Sequence, residues 1–218
     1  MIKFVRQTAV AAGIAVLSLA STASWAASYT YDFKTVFDTS TTFDLLDTKT
    51  LPYSVASLTI ADITGGVSLS LTQNINPFPA KTTAGTFAEA LWLAGPKGTL
   101  ASKTGTALAA GSGYSLLPLI KDAGYTYNWN IDFAANKFAE GSTSTLTILG
   151  TGVNAAAFAK AGTVPMLDLG NVGAPYKGLF GLTTDVHFIG KMVPEPSSYA
   201  LMALGLIGVA AVSRRRAA

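Results

Sequence analysis

The sequence predicts an all-β fold for residues 27–192, with antiparallel strands packed as a jelly-roll-like β-sandwich. Thr, Ser, Gly, Tyr, Phe and Val are common in this region, and turn residues recur at intervals of roughly 8 to 15 residues, a spacing typical of many short strands. Polar and apolar residues alternate within several segments, as in Val67–Thr72, which predicts one buried face and one solvated face. The chain contains no cysteine, so this fold depends on packing without disulfides.

The predicted strands are segments rich in β-branched and aromatic residues, bounded by turn residues. In chain order they are Tyr29–Phe37, Tyr53–Ala61, Val67–Thr72, Thr86–Ala94, Tyr125–Phe133, Thr143–Leu149 and Thr183–Ile189. Gly65 with Gly66, and the run Gly95–Gly98, predict tight turns between antiparallel neighbours. Residues 99–113 predict a long loop with a weak strand in it. Within residues 27–192, the one predicted helix covers Asn154–Lys160, with Asn154 as its N-cap.

Residues 1–26 have the three parts of a secretory signal peptide. Two cations, Lys3 and Arg6, precede an apolar run that is too short for a comfortable membrane span, and small residues follow it. Ser24 and Ala26 place small side chains where signal peptidases accept only small ones. We therefore expect cleavage between Ala26 and Ala27, and an uncleaved N-terminal anchor is the less favoured alternative.

Residues 193–218 also contain three parts in a fixed order. Val193, Pro194, Glu195 and Pro196 form a stiff, extended element, because each proline fixes its own φ and disfavours helix in the residue before it. Residues 199–212 are all apolar or small and predict a single transmembrane helix of about 21 Å, which is short for a bilayer. Arg214, Arg215 and Arg216 then predict a membrane stop with its basic end in the cytoplasm.

This combination of a VPEP motif, a short apolar helix and an arginine cluster resembles the PEP-CTERM sorting signal. The resemblance implies recognition of Val193–Pro196 by an exosortase, a membrane enzyme that processes the tail near the motif in Gram-negative bacteria that make exopolysaccharide. It also implies export through the inner membrane, transient anchoring, and a final place on the cell surface or outside the cell. The expected organisation is therefore a signal peptide (1–26), a β domain (27–192) and a sorting and anchor segment (193–218).

A second resemblance concerns the β domain. The run DAGYTYNWNIDF, at residues 122–133, is similar to a strand that precedes the tail in the FxDxF group of exported PEP-CTERM proteins. The Phe-x-Asp-x-Phe motif itself does not occur, and its nearest parts are Phe37 with Asp38 and Phe43 with Asp44. This group has no known activity, so the resemblance adds none.

Charge composition argues against a nucleic-acid partner. Residues 27–193 contain ten Lys, eleven Asp or Glu and no Arg, so this region is nearly neutral and lacks guanidinium groups that bind phosphates. The absence of cysteine excludes thiolate metal sites and cysteine nucleophiles. Because His187 is the only histidine, zinc hydrolysis lacks ligands, and no GxSxG motif accompanies it to suggest a serine hydrolase. We therefore expect His187 to be a surface residue of a strand.

Carboxylate pairs leave two alternatives open. A glycosidase needs two carboxyl groups that face each other across a cleft. The candidate pairs are Asp44 with Asp47, Asp32 with Asp38, and Asp132 with Glu140. The Asp44 to Asp47 loop is also a candidate calcium site, although it has no DxDxDG pattern. The favoured interpretation for all of them is exposed Asp and Glu near turns.

Aromatic residues offer a different route to function. Trp92, Trp129, Tyr125 and Tyr127 could form a stacking platform for sugar rings. Tyr125, Tyr127 and Trp129 are spaced two apart, so we expect them to share one face, and core packing is the favoured role. The overall expectation is a noncatalytic surface or matrix protein associated with exopolysaccharide, with no catalytic residue, metal or cofactor. The alternatives are a carbohydrate-active enzyme and a calcium-dependent carbohydrate-binding or adhesion module.

Overall fold

The computed structural model describes residues 26–37, 49–75, 86–105, 108–116, 120–122, 125–134, 138–160, 164–171 and 186–194, together with Gly205 and Ile207. The strands in these residues are β1 (Ser28–Phe37), β2 (Lys49–Thr50), β3 (Ala56–Ile63), β4 (Gly66–Gln73), β5 (Phe87–Leu93), β6 (Thr99–Thr104), β7 (Gly113–Tyr114), β8 (Ile120–Asp122), β9 (Tyr125–Tyr127), β10 (Trp129–Asp132), β11 (Thr143–Leu149), β12 (Met166–Gly170) and β13 (Val186–Val193). One short helix, α1 (Ala155–Phe158), lies between β11 and β12.

Eleven of these strands form a single antiparallel sheet. Its order is β6-β11-β4-β3-β1-β13-β12-β5-β10-β7, with β2 paired to β1 outside this path, while β8 and β9 form a separate hairpin. The antiparallel all-β prediction is confirmed. The predicted two-sheet sandwich is corrected, because β1 pairs with β13 and so joins the strands into one continuous, nearly closed sheet.

The main core lies on the inner face of this curved sheet. Alternation buries every second side chain, as in β11, where Ser144, Leu146 and Ile148 are buried. Leu146 and Ile148, near one end of the strand path, belong to the same buried cluster as Trp129 and Ile131, near the other end. The sheet therefore curls until its two ends face one core, and β6 approaches β7. We call the opposite side of the sheet the outer face.

Most predicted strands are confirmed with small shifts of their bounds. β11 has the predicted bounds, and β1, β4 and β5 match within one residue at each end. The predicted strand at 53–61 instead runs over Ala56–Ile63. The last strand, predicted over Thr183–Ile189, extends through Val193, while residues 183–185 lie outside the described residues. β12 was not predicted, because all five of its residues are buried and no polar alternation marks it.

The predicted strand at 125–133 is interrupted at Asn128. The side chain of Asn128 takes the place of a strand neighbour: its Oδ1 accepts from Gly95 N at 3.0 Å, and its Nδ2 donates to Gly95 O at 2.9 Å. Because the ladder breaks there, Tyr127 and Trp129 no longer share a face. Trp129 enters the main core, whereas Tyr127 joins a second cluster with Met166. The prediction that Tyr125, Tyr127 and Trp129 form one buried face is therefore wrong.

Helix α1 confirms the predicted cap. Asn154 is extended, and its Oδ1 accepts a hydrogen bond from Ala157 N at 2.9 Å. The helix is shorter than the predicted 154–160 and buries Ala155 and Phe158 against the main core.

The two chain ends lie largely outside the described residues. Within the part of the chain that the structure covers, no helix is long and apolar enough to cross a membrane. The predicted signal peptide, apart from Ala26, is not described. At the other end, the structure does not describe Glu195, Pro196 or Arg214–Arg216. It describes the predicted transmembrane segment only at Gly205 and Ile207. The predictions for these segments stay predictions.

Candidate functional site

Register places three polar residues in one row across the outer face. Asp132 of β10 and Asp168 of β12 are both paired with Ala90 of β5, and Asp168 is paired with His187 of β13. Residues directly opposite each other in antiparallel strands project to the same face. We call Asp132, Asp168 and His187 the polar row.

The closest contact in the polar row joins Asp168 and His187. His187 Nε2 lies 3.4 Å from Asp168 Oδ1, with the two side chains 15% and 11% exposed. This distance allows an ion pair when His187 is protonated, yet the geometry is not that of a hydrogen bond, and Asp168 Oδ1 is buried without one. The contact is attractive only when His187 carries a proton, and the strength of that attraction depends on the distance between the charges and on how much water screens them. His187 lies in a strand as expected, but its side chain is mostly buried and contacts a buried carboxylate, so the expectation of a surface residue is corrected.

Asp132 has a perturbed acidity. Burial raises the pKa of its carboxyl above the usual value, the hydrogen bond from Asn130 Nδ2 at 2.8 Å lowers the pKa, and the negative charge of Asp168 raises it. Asp132 and Asp168 lie two strands apart, so their backbones are separated by roughly 10 Å. The two carboxylates therefore influence each other across β5.

An aromatic cluster lies beside the polar row on the same face. Trp92 of β5 is paired with both Asn130 and Met166. Its Nε1 donates to Asn130 Oδ1 at 2.8 Å, and its ring lies 5.2 Å from the ring of His187 and 6.4 Å from that of Tyr127. This hydrogen bond fixes the indole next to the polar row.

Burial divides the four aromatic residues that the sequence singled out. Trp129 and Tyr127 have no exposed surface, so neither is free to stack on a ligand. Trp92 and Tyr125 are half-buried and so are not enclosed like the other two. We call Trp92, Tyr125, Asn130 and the polar row the outer-face cluster. Sequence reasoning missed Asp168 and Asn130, although a lone carboxylate within the apolar run MLDLG is a signal that could have identified Asp168.

Of the three candidate carboxylate pairs, Asp132 with Glu140 is the one that lies wholly within the described residues. Asp38, Asp44 and Asp47 lie outside them. Asp32 pairs with Lys34 at 3.0 Å and accepts from Ser54 Oγ at 3.3 Å. Asp132 interacts with Asn130 and Asp168, and Glu140 lies in an exposed turn. The described residues contain no group of three or more His, Cys, Asp or Glu that could hold a metal ion.

The predicted sorting motif begins at the end of a central strand. Val193 is the last residue of β13 and is paired with Thr30 of β1, and Pro194 follows as an exposed residue outside the ladder. Ala27 precedes Thr30 by three residues, or about 10 Å of extended chain. Because β1 and β13 are antiparallel, the predicted cleavage site and the predicted sorting motif leave the sheet at the same end.

Comparison with protein families identifies this terminal segment. The family described as the PEP-CTERM protein-sorting motif matches residues 193–216, a range that includes Val193–Pro196 and Arg214–Arg216. Neither the curated proteins nor the solved structures contain a match to this chain. The match begins at the last residue of β13, so the motif is joined to the β domain without a linker. The chain is therefore a protein with a PEP-CTERM sorting motif, and this motif indicates export and exosortase-dependent sorting to the cell surface.

Proposed function

We propose that this protein is a noncatalytic surface or matrix component of a Gram-negative bacterium whose outer-face cluster binds exopolysaccharide within a biofilm. Cleavage after Ala26 frees the N-terminus, and the helix over residues 199–212, stopped by Arg214–Arg216, anchors the chain briefly in the inner membrane. Exosortase processing at Val193–Pro196 then leaves the β domain at the surface or outside the cell. The family match to residues 193–216 is the observation that supports the sorting part of this proposal.

Trp92 carries the saccharide part of the proposal. Its half-buried indole is held on the outer face by Asn130, and a flat apolar ring beside polar groups suits a sugar, which has an apolar ring face and hydroxyl edges. The amide of Asn130 and the carboxyl of Asp132 are both partly exposed and offer acceptors to hydroxyl groups. Asp132 and Asp168 also repel anions, so the cluster favours a neutral saccharide over a polyuronate.

Replacing Trp92 with alanine should weaken binding of a neutral polysaccharide by about tenfold, a loss that corresponds to about 1.4 kcal/mol. Affinity electrophoresis of the processed chain in gels containing dextran, a soluble cellulose derivative or alginate measures this effect. Tyr53→Ala is the matched control, because Tyr53 is an exposed aromatic residue in the loop before β3. Equal retardation of both variants, or retardation of the native chain only by alginate, contradicts the proposed saccharide site.

A carbohydrate-active enzyme is the second candidate, and the raised pKa of Asp132 beside Asp168 favours it. A glycosidase needs one carboxyl group that stays protonated and one that stays charged. This alternative predicts that the chain releases reducing ends from a polysaccharide, and that Asp132→Asn abolishes the release. The proposed noncatalytic function predicts no release by the native chain or by variants at Asp132, Asp44 or Asp47.

A further inference from the structure

The carboxylate of Asp62 connects the start of β1 to the start of α1. Its Oδ2 accepts from Ala27 N at 3.1 Å, and its Oδ1 accepts from Ala155 N at 2.6 Å. The backbone N of Asp62 in turn donates to Ala27 O at 2.8 Å. Ala27 is therefore held at both its nitrogen and its carbonyl oxygen, and its side chain packs against the main core.

The contacts of Asp62 reach the chain at position 27 and not at position 26. Ala26 is exposed, whereas Ala27 is partly buried, so the bond between them lies at the boundary of the folded sheet. Helix α1 has no acidic residue in its own first turn, and Asp62 supplies the acceptor for Ala155 N from another strand. One carboxylate thus serves two backbone donors that are 128 positions apart in the sequence.

Cleavage between Ala26 and Ala27 changes the chemistry of one of these donors. Hydrolysis adds water across the amide, so that Ala26 leaves with the leader as a carboxylate and Ala27 keeps the nitrogen as an α-amine. The α-amine is mostly protonated at neutral pH, with an ordinary pKa of about 7.7 to 8.0. The neutral N–H at 3.1 Å from Asp62 Oδ2 becomes a cation with three donors, and charge-assisted hydrogen bonds are roughly twice as strong as neutral ones.

We propose that Asp62 is the binding site for the mature N-terminal ammonium group, and that removal of the leader thereby stabilises the folded β domain. The proposal depends on the predicted cleavage position and goes beyond sorting and saccharide binding. It also bears on the sorting motif, because β1 is the strand that pairs with Val193. A firmly held start of β1 stabilises the strand end from which the motif emerges.

The test compares two chains in detergent, one starting at Ala27 and one starting at Ser24, both ending at Ala218 and both released from a fusion with native N-termini. The chain from Ala27 should melt about 2–4 °C higher, as expected for a modest gain of stability in a domain of this size. This gap in melting temperature between the two chain lengths should vanish when both carry Asp62→Asn. It should persist when both carry Asp32→Asn, a control that removes a carboxylate already paired with Lys34. Equal melting of the two native-sequence chains, or an unchanged gap in Asp62→Asn, overturns the proposal.

A second measurement needs no variant and covers the case in which Asp62→Asn does not fold. Acylation of the α-amine, followed by mass spectrometry of the N-terminal peptide, should be about tenfold slower for the Ala27 chain, because a carboxylate that binds the ammonium form raises the pKa of the amine and lowers the fraction of free amine. Equal rates for the two chains overturn the proposal, as does a mature N-terminus other than Ala27 in protein from its host. Saccharide binding is measured separately, so its loss leaves this result unaffected.

Discussion

Replacing Trp129 with alanine should lower the free energy of unfolding by about 3–5 kcal/mol, a large share of the stability of an ordinary domain. The side chain has no exposed surface and lies in the main core. Its ring packs edge-on against Tyr114 at 5.4 Å, and its Nε1 donates to Pro96 O at 3.0 Å. The substitution therefore leaves both a cavity and a carbonyl oxygen that has lost its donor.

Urea unfolding of the processed chain measures this loss, with Trp92→Ala as the matched control. Trp92 is half-buried on the outer face, so its removal should cost less than the removal of Trp129. The loss of unfolding free energy for Trp129→Phe should lie between the losses for Trp92→Ala and Trp129→Ala. This variant keeps most of the apolar volume and removes the hydrogen bond to Pro96. A larger loss for Trp92→Ala than for Trp129→Ala contradicts the assignment of Trp129 to the main core.

The sequence predicted those strands and caps that are determined by residues near one another in the chain. The bounds of β11 follow from an uninterrupted run of strand-favouring Thr, Leu and Ile over Thr143–Leu149, and the cap of α1 follows from the ability of Asn154 to accept from a backbone N–H three residues later. In each case the residues that create the pattern are close in sequence.

Strand pairing is where sequence reasoning fell short. Joining β1 to β13 pairs residues that are 150 to 163 positions apart in the sequence, and alternation within a strand does not identify its partner. The same limit hid the polar row, since Asp132, Asp168 and His187 come together only through the pairing of four strands. The break at Asn128 depends on its contact with Gly95, which again is remote in sequence.

Changing Pro194, Glu195 and Pro196 together to alanine should block exosortase processing and leave the chain at the membrane. The substitution removes the two fixed φ angles and the carboxylate of an element that follows the last paired residue of β13. We expect the amount of surface protein to fall by at least about tenfold, which corresponds to a loss of about 1.4 kcal/mol in recognition. Immunoblots of membrane and surface fractions from the native host measure the distribution.

Lys191→Ala is the matched control for this change. Lys191 is exposed on β13 two residues before the matched segment, so its loss alters neither the core nor the motif. It should leave processing unchanged. A similar fall in surface protein for both variants would show that the folded strand end, and not the Pro-Glu-Pro element, determines recognition.

The most direct measurement is the mass of the C-terminal peptide of the surface form, isolated from the native host and from a strain without its exosortase. We predict that the native surface form ends near Val193–Pro196 and lacks Arg214–Arg216, and that the chain in the mutant strain extends through Ala218 and stays with the membrane. An intact tail on the native surface form, or equal surface amounts in the two strains, would contradict sorting through this motif.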